Sequence, residues 1–502
     1  MYAIRSARHF LTGVFVTGAG AVLSLLVTPY LIHALGGEAF GAYRTLVEWA
    51  GYFTLLEFGI NEGVITLFSR AAAKRDGAGA GPVFRIALAA HAKILPVKLL
   101  AVAIFVWFVP RFIHVSADSV GDLSRAALFM SLTLAFLNPI QIFRMYWEAE
   151  QKGYLVNLWL LAQNFTTAAI GILCAGATLG ISGQGAAFVS GYVVLYGAIF
   201  FGVCHDRGWP PWKGEASGVS AKELSDLRKP FAVSNVLGRV SVLSDSIVIA
   251  LFMGPVDVTV FYVTQRLPAV TQNLLYGLGN ATWAPLSDLH AKGMHEVFRE
   301  RFIELTRLLV ILSMLSLGPL FAYNRSFVGL WTGAATFGGD LLSGLTALSA
   351  LFLALISFWA WIFSATGRAA ILLPQHFAFA GLNVAASLFF TANYGLAGPV
   401  LGTMTATLLV SMITVPSYLK REFGFARRDL YFAVGKPFLI MIVPVLIRWR
   451  YPAPWAAQSW ALLIAAVAFE FLLLTLVTWF LVLTDREREH WARRFKDRGK
   501  NN

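Results

Sequence analysis

Long apolar runs alternate along this chain with short stretches that carry charged or turn-forming residues. A helix needs about 20 mostly apolar residues to cross the hydrocarbon of a bilayer. The segments that meet this requirement are 10–34, 41–69, 84–109, 124–144, 156–179, 184–204, 231–254, 257–285, 304–328, 341–364, 370–393, 396–418, 431–448 and 459–483. The pattern predicts an all-α polytopic membrane protein with about 14 transmembrane helices.

The composition agrees with a membrane protein and excludes several other classes. Of the 502 residues, 57% are hydrophobic and only 13% are charged, whereas soluble proteins carry about 25% charged residues. Such a chain has too little polar surface for a soluble enzyme and too much apolar surface for a disordered segment. The two cysteines, Cys174 and Cys204, lie in apolar surroundings, so we predict neither a disulfide framework nor a metal site.

Positive charge is unevenly divided between the two sides that alternating spans would create. The sequence holds 40 Lys and Arg against 27 Asp and Glu, a formal net charge of +13. With the N-terminus in the cytoplasm, most of these cations fall on cytoplasmic segments, as the positive-inside rule requires. The distribution predicts an even number of spans with the N-terminus and the C-terminus both inside, and it calls for no nucleic-acid partner.

Two stretches share one pattern, in which a glycine turn near an acidic residue is followed by an aromatic residue and an arginine. They are Leu35–Arg44 and Met253–Arg266, and further short matches recur at offsets of 214 to 219 residues. That offset is about six spans, and an even number of spans makes the repeats parallel. We therefore predict an N-terminal six-helix lobe at 1–204, a cytoplasmic linker at 205–230, a C-terminal six-helix lobe at 231–418, two extra transmembrane helices at 431–483 and a basic cytoplasmic tail at 484–502.

Four stretches carry motifs whose order and spacing are informative. They are Thr28-Pro29-Tyr30-Leu31 with Phe40-Gly41-Ala42-Tyr43, Leu55-Leu56-Glu57-Phe58-Gly59-Ile60, Asp245-Ser246-Ile247-Val248-Ile249, and Arg266-Leu267-Pro268 with Ala284-Pro285-Leu286-Ser287. Together they resemble the polysaccharide (O-antigen or lipid-linked oligosaccharide) flippases of the multidrug/oligosaccharidyl-lipid/polysaccharide exporter superfamily. Glu57 departs mildly from that family, which more often has Asp there.

The resemblance implies a flippase in the bacterial inner membrane, and not an enzyme. Its substrate would be an undecaprenyl-pyrophosphate-linked oligosaccharide, moved by alternating access from the cytoplasmic to the periplasmic leaflet for surface polysaccharide biosynthesis. The implied partners are this substrate, membrane lipids, and a polysaccharide polymerase and glycosyltransferases of one pathway. No cofactor is expected beyond a coupling H⁺ or Na⁺.

Some cations fall inside predicted spans, where charge is costly and by default points to function. They are Arg44, Lys93, Lys98, Arg239, Arg266 and Lys436. A planar guanidinium suits phosphate oxygens, so Arg44, Arg239 and Arg266, with the deep Lys98, are the predicted substrate-binding residues. Lys93 is shallow enough to extend toward the cytoplasm. Lys436 is expected to pair with Glu470 and to hold the two extra helices together.

Carboxylates in the same spans are the candidates for coupling to an ion gradient. Glu48, Glu57 and Asp245 are predicted to bind a coupling ion or to balance charge. Glu48 lies four residues from Arg44, so a local ion pair on one helix face is the simpler alternative for these two residues. Arg266 has an alternative role as well, in which it meets lipid headgroups near the outer surface.

Three other functions deserve comparison. A multidrug exporter of the same superfamily would need an acidic residue in its first span, and residues 10–35 contain none. A membrane-embedded polysaccharide polymerase or ligase would need large outer loops, whereas the predicted outer loops are short. A flippase for lipid II or for another polyprenyl lipid shares the fold, and these motifs do not distinguish it.

Overall fold

The computed structural model describes residues 2–73, 79–213, 220–228, 232, 235, 244–483 and 488. Within these residues the chain is built from helices joined by short turns, and it contains no strand. The predicted all-α membrane fold is therefore confirmed. Its helices follow from the apolar runs, because a backbone inside a bilayer must satisfy its hydrogen bonds within the segment itself.

Ten helical segments among the described residues are long and apolar enough to cross a membrane. Two of them, Leu11–Glu57 and Ala369–Phe423, each contain parts of two predicted spans, because tight helical turns and not loops connect the parts. The first part of the predicted span 231–254 lies mostly outside the described residues, as does most of the tail at 484–502. The total of about 14 spans and the orientation of the termini stay predictions.

The chain divides into two compact units, Met1–Thr259 and Val260–Asn502. The predicted lobe, linker and tail boundaries stay a prediction. The helices that begin in the first unit are α1 Tyr2–Gly51, α2 Ile60–Ala73, α3 Ala80–Phe112, α4 Val120–Leu137, α5 Gln141–Ala149, α6 Gly153–Gly176, α7 Gly180–Arg207, α8 at 221–228, α9 Ser244–Phe252 and α10 Pro255–Ala291. Its described core includes two clusters of aliphatic and aromatic side chains.

The second unit contains most of α10 and the remaining helices. These are α11 His295–Trp331, α12 Asp340–Ala365, α13 Leu373–Tyr394, α14 Gly398–Ala406, α15 Met412–Phe423, α16 Arg427–Arg450 and α17 Trp460–Val477. One large core cluster joins α11, α12, α15 and α16. At its centre the rings of Phe302 and Phe358 stack with centroids 5.1 Å apart.

The two predicted glycine turns are confirmed by the backbone. Gly36 interrupts α1 with φ 79° and ψ 161°, and Gly254, between α9 and α10, has φ 113°. Side chains with a Cβ rarely adopt such φ values, so glycine is the residue suited to both turns.

The predicted second span, 41–69, is not one continuous helix. After α1 a 3-10 turn runs from Tyr52 to Glu57, and Phe58 and Gly59 then adopt φ values of 48° and 73°. Two consecutive residues of positive φ cannot continue a right-handed helix. The prediction of an unbroken span was therefore wrong here, and the break leaves Glu57 at the end of a helical segment.

Close packing of α1 against the start of α10 depends on the absence of a side chain at Gly41. A Cβ on that residue would lie 1.7 Å from the carbonyl oxygen of Pro255. One turn further along α10, the hydroxyl of Thr259 donates a 2.6 Å hydrogen bond to the carbonyl of Gly37. The glycines after the turn at Gly36 thus let the backbones of the two helices approach directly.

Candidate functional site

Three of the predicted site residues lie together where α1 packs against α9 in the first unit. The hydroxyl of Ser246 on α9 donates a 2.8 Å hydrogen bond to the carboxylate of Glu48 on α1. Arg44 lies one turn away on α1 and interacts electrostatically with Glu48. Asp245 interacts with Glu48 as well, as a like charge. We call these four residues the α1–α9 cluster.

This cluster contains one arginine and two carboxylates. Arg44 attracts Glu48 as an opposite charge four residues away on α1. Asp245 adds a second negative charge, and two nearby carboxylates repel each other unless a proton or a cation lies between them. A guanidinium can bind an anion and a pair of carboxylates can bind a cation, and both roles stay predictions for this cluster.

The second group of charged residues is organised by the buried face of α3. Its buried side chains recur at spacings of three, four and seven residues: Phe84, Ala87, His91, Lys98, Val102 and Val109. Lys98 and His91 are each only 1% exposed, and they interact electrostatically. Lys93 falls on the opposite side of the helix and is exposed.

Glu57 connects this face of α3 with polar side chains from α2 and α5. Its carboxylate accepts hydrogen bonds from the amide groups of Asn61 and Gln141. The same Gln141 amide lies 3.2 Å from the side-chain oxygen of Asn138, and Gln141 also bonds to Tyr196. Glu57, Asn61 and Asn138 are all buried, so this network is shielded by the surrounding helices.

The fold brings Lys98 and Glu57 into one electrostatic pair, although the sequence predicts different roles for them. Glu57 interacts with the Lys98 ammonium across 41 positions of sequence, yet no described residue accepts a hydrogen bond from Lys98 Nζ. Both ring nitrogens of His91 and the amide nitrogen of Asn138 also lack partners in this part of the structure. We call Glu57, Asn61, His91, Lys98, Asn138, Gln141 and Tyr196 the α3 cluster.

The remaining predicted substrate-binding residues are less completely placed. Arg266 lies on α10 in the second unit, and its guanidinium lies 5.5 Å from the centre of the Tyr262 ring, a distance typical of cation–π contacts. Arg239 lies outside the described residues. The roles assigned to Arg44, Arg239, Arg266 and Lys98, and to the three carboxylates, stay predictions.

The pairing predicted between Lys436 and Glu470 was wrong. The fully buried Glu470 carboxylate on α17 is instead 3.2 Å from Nε of Arg448 on α16. The buried positions of α16 include Leu430, Val434, Pro437, Met441 and Val445. Arg448 continues this stripe at helical spacing, whereas Lys436 lies one residue away from it.

Sequence reasoning also missed the uncharged members of the α3 cluster. These are Asn61, His91, Asn138, Gln141 and Tyr196, which stand in or beside apolar runs, where a single neutral polar residue attracts little attention. One available signal was the seven-residue spacing of His91 and Lys98, which places both side chains on one helix face. No set of three or more His, Cys, Asp and Glu side chains suited to a metal ion occurs among the described residues.

Comparison with protein families gives a match over residues 7–288, to the family described as polysaccharide biosynthesis protein. A search of curated proteins gave no match. The matched segment contains both clusters, Arg266 and the glycine turns at Gly36 and Gly254.

Several solved structures share the fold at low sequence identity. The lipid II flippase MurJ in an inward closed conformation superposes with a TM-score of 0.72 and 13% identity, over 93% of this chain and 98% of MurJ. An inward-facing multidrug resistance MATE family transporter of the MOP superfamily gives 0.63 and 14%, over 80% and 96% of the two chains. A MOP superfamily transporter from Pyrococcus furiosus gives 0.59 and 14%, over 84% and 96%.

These comparisons confirm a multi-pass membrane protein with a flippase and transporter fold. The solved structures that share the fold are a flippase and transporters, the class of protein that the resemblance predicts. The family match covers residues 7–288 of 502, more than half of the chain. The chain belongs to the polysaccharide biosynthesis protein family.

Proposed function

We propose that this protein is a flippase that moves an undecaprenyl-pyrophosphate-linked oligosaccharide from the cytoplasmic to the periplasmic leaflet of the bacterial inner membrane. The observation that carries the proposal is the α1–α9 cluster, a guanidinium and two carboxylates on apolar helices, inside the segment that matches the polysaccharide biosynthesis family. Such charge in a membrane is costly and is retained where a polar substrate or ion passes.

The chemistry of this substrate explains why cations are needed. A pyrophosphate with attached sugars cannot cross hydrocarbon, whereas its polyprenyl chain can stay in the lipid. We assign Arg44, Arg239 and Arg266 to the phosphate oxygens, which the planar guanidinium can bind in bidentate fashion. When no substrate is bound, Glu48 neutralises the charge of Arg44, and this lowers the free-energy cost of holding Arg44 within the membrane.

Lys98 requires a conformational change before it can meet the substrate. Its side chain is 1% exposed in this structure, so we assign its substrate contact to another state of the alternating-access cycle. Glu57 balances its charge while it is buried. We further assign Glu48, Glu57 and Asp245 to binding of the coupling H⁺ or Na⁺, because the repulsion between Glu48 and Asp245 favours uptake of a cation.

Another polyprenyl lipid, such as lipid II, is the second candidate substrate. The observation that favours it is the similarity of fold to the lipid II flippase MurJ over almost the whole chain. A multidrug substrate fits less well, because an exporter of that kind is expected to need an acidic residue in its first span, and residues 10–35 contain none. A polysaccharide polymerase and glycosyltransferases of one pathway are the proposed neighbours in the cell.

The test is translocation of a fluorescent undecaprenyl-pyrophosphate oligosaccharide in reconstituted vesicles, beside the same assay with lipid II. We expect the wild-type chain to accelerate translocation of the oligosaccharide lipid, and Arg44→Ala to slow it at least about tenfold through loss of charge-assisted contacts. Arg125→Ala is the control, because that side chain is 66% exposed and, among the described residues, forms an ion pair only with Asp122. Absence of translocation by the wild type would refute the flippase, and preference for lipid II would select the second candidate.

A further inference from the structure

Helix α8 is a fixed part of the first unit, although it lies in the stretch predicted as a linker. Leu224 on α8 is only 3% exposed and belongs to the core cluster that contains Val83 and Phe84 of α3. On α2, a Cβ at Gly63 would lie 2.8 Å from the Leu224 side chain, so the glycine makes room for it. A 2.8 Å ion pair joins Glu223 to Arg70.

A cleft of about 500 Å³ lies between α8 and the first turns of α3. Three cations line it, Arg85 and Lys93 from α3 and Arg228 from α8. Arg85 and Lys93 are eight residues apart, which is about 12 Å along a helix at 1.5 Å per residue. The cleft therefore presents positive charge along two turns of α3 and from the opposite wall.

The charge of this cleft is not compensated by the groups that line it. None of its ten lining residues is acidic. In the part of the chain that the structure describes, Arg85, Lys93 and Arg228 take part in no ion pair. Three cations that converge on one space favour an anionic occupant.

The other residues that line the cleft restrict which kinds of anionic molecule can bind there. Apart from Ser225 they are aliphatic: Ile86, Ala89, Ala90, Ile94, Ala221 and Leu224. A sugar or a nucleotide base would bring hydrogen-bonding groups that this wall cannot satisfy. An acyl chain has no hydrogen-bonding groups, so it can lie against this aliphatic wall without leaving any unsatisfied. The three cations can bind a phosphate through charge-assisted hydrogen bonds.

The position of the cleft agrees with a lipid as the ligand. It lies at the end of a helix long and apolar enough to span a membrane, and the topology prediction places that end in the cytoplasm. Cytoplasmic leaflets carry anionic lipids that basic residues next to a membrane helix recognise. We propose that the cleft between α3 and α8 binds an anionic phospholipid, with its phosphate between Arg85, Lys93 and Arg228 and an acyl chain along Ile86, Ala90 and Ile94.

The test measures lipid binding to the full-length chain by native mass spectrometry, independently of transport. The purified protein is titrated with phosphatidylglycerol or with phosphatidylcholine of the same acyl chains. We expect tighter binding of phosphatidylglycerol, weakened at least about tenfold in the triple variant Arg85→Gln, Lys93→Gln, Arg228→Gln, since each basic residue near the surface contributes to such binding. The control is Lys292→Gln, Arg301→Gln, Arg421→Gln, which removes three exposed cations elsewhere and should change the affinity less than twofold.

Additional variants and ligands test the roles of the cations and of the aliphatic wall separately. If the triple Gln variant does not fold, the exchange Arg85→Lys, Lys93→Arg, Arg228→Lys should keep the affinity, and Ala90→Phe, which fills the aliphatic part, should lower it. Equal loss in the cleft and control variants would overturn the proposal, because a general surface charge would then explain binding. Displacement of the phospholipid by inorganic phosphate would overturn the role of the acyl chain. Tighter binding of undecaprenyl pyrophosphate than of phosphatidylglycerol would reassign the cleft to the transported lipid.

Discussion

The Ser246 hydroxyl donates a 2.8 Å hydrogen bond to the Glu48 carboxylate across 198 positions of sequence. Ser246 is 2% exposed, so this contact is shielded from water and ties α9 to α1. It also fixes the orientation of the carboxylate that faces Arg44. A serine beside Asp245 thus positions a charged residue of the proposed substrate site.

We expect Ser246→Ala to weaken both the packing of α9 and the transport activity. Loss of a hydrogen bond to a charged acceptor costs about 1.5–3 kcal/mol, measured as the free energy of unfolding in mixed micelles. Ser246→Thr keeps the hydroxyl and should recover most of this loss. Ser190→Ala is the control, since that hydroxyl donates a hydrogen bond to the carbonyl of Ala186 in its own helix. An unchanged free energy in Ser246→Ala would show that the contact does not stabilise the fold.

Lys98 and Glu57 are expected to depend on each other energetically. Removal of either charge alone leaves the other buried without its counter-charge, which is strongly unfavourable. We therefore expect Lys98→Met and Glu57→Gln to destabilise the protein individually, and the double variant to lose less than the sum. The predicted coupling is about 1–3 kcal/mol in a double-mutant cycle of unfolding free energies. Additive losses would mean that the two groups do not interact.

Specific residues show why the fold was more predictable than the site. Apolar periodicity and glycine turns predicted the helices and the breaks at Gly36 and Gly254, because those signals are local. The break at Phe58 and Gly59 was missed, since hydropathy does not change there while the backbone does. Hydropathy indicates which segments lie in the membrane, but it contains little information on the backbone angle φ of a single residue.

The site was partly predictable for the same reason. Arg44 and Glu48 share one helix face, so spacing alone predicted their proximity. The pairing of Lys98 with Glu57 depends on how α3 packs against the turn before α2, which no local pattern encodes. Glu470 pairs with Arg448 and not with Lys436 because of which face of α16 is buried, and no local pattern encodes that face.

The ion pair between Arg448 and Glu470 should stabilise the contact between α16 and α17. Arg448→Met would leave a buried carboxylate without its cation, and we expect it to lower the free energy of unfolding by about 3–5 kcal/mol. Glu470→Gln should cost less, because a neutral amide is easier to bury. Lys436→Met is the control and should have little effect. A larger loss in Lys436→Met than in Arg448→Met would contradict this assignment.

Accessibility labelling can decide the orientation that the charge distribution predicts. In a background with Cys174 and Cys204 replaced by Ser, we expect a cysteine at position 115 to react with a membrane-impermeant maleimide added to intact cells. A cysteine at position 215 should react only after the membrane is permeabilised, because the positive-inside rule places that basic region in the cytoplasm. Permeabilised cells provide the control for both positions, and the reverse pattern would overturn the N-in orientation.

The packing of α1 on the start of α10 should tolerate no side chain at Gly41. A Cβ there would lie 1.7 Å from the Pro255 carbonyl oxygen and 2.8 Å from the Thr259 hydroxyl, so the helices must separate and the hydrogen bond from Thr259 to Gly37 must lengthen. We expect Gly41→Ala to lower the free energy of unfolding by about 2–3 kcal/mol through overpacking. Gly277→Ala is the matched control, because nothing lies within 4 Å of its added Cβ, and alanine favours a helix over glycine by about 1 kcal/mol. If the two variants unfold at the same denaturant concentration, the close approach at Gly41 contributes nothing to stability.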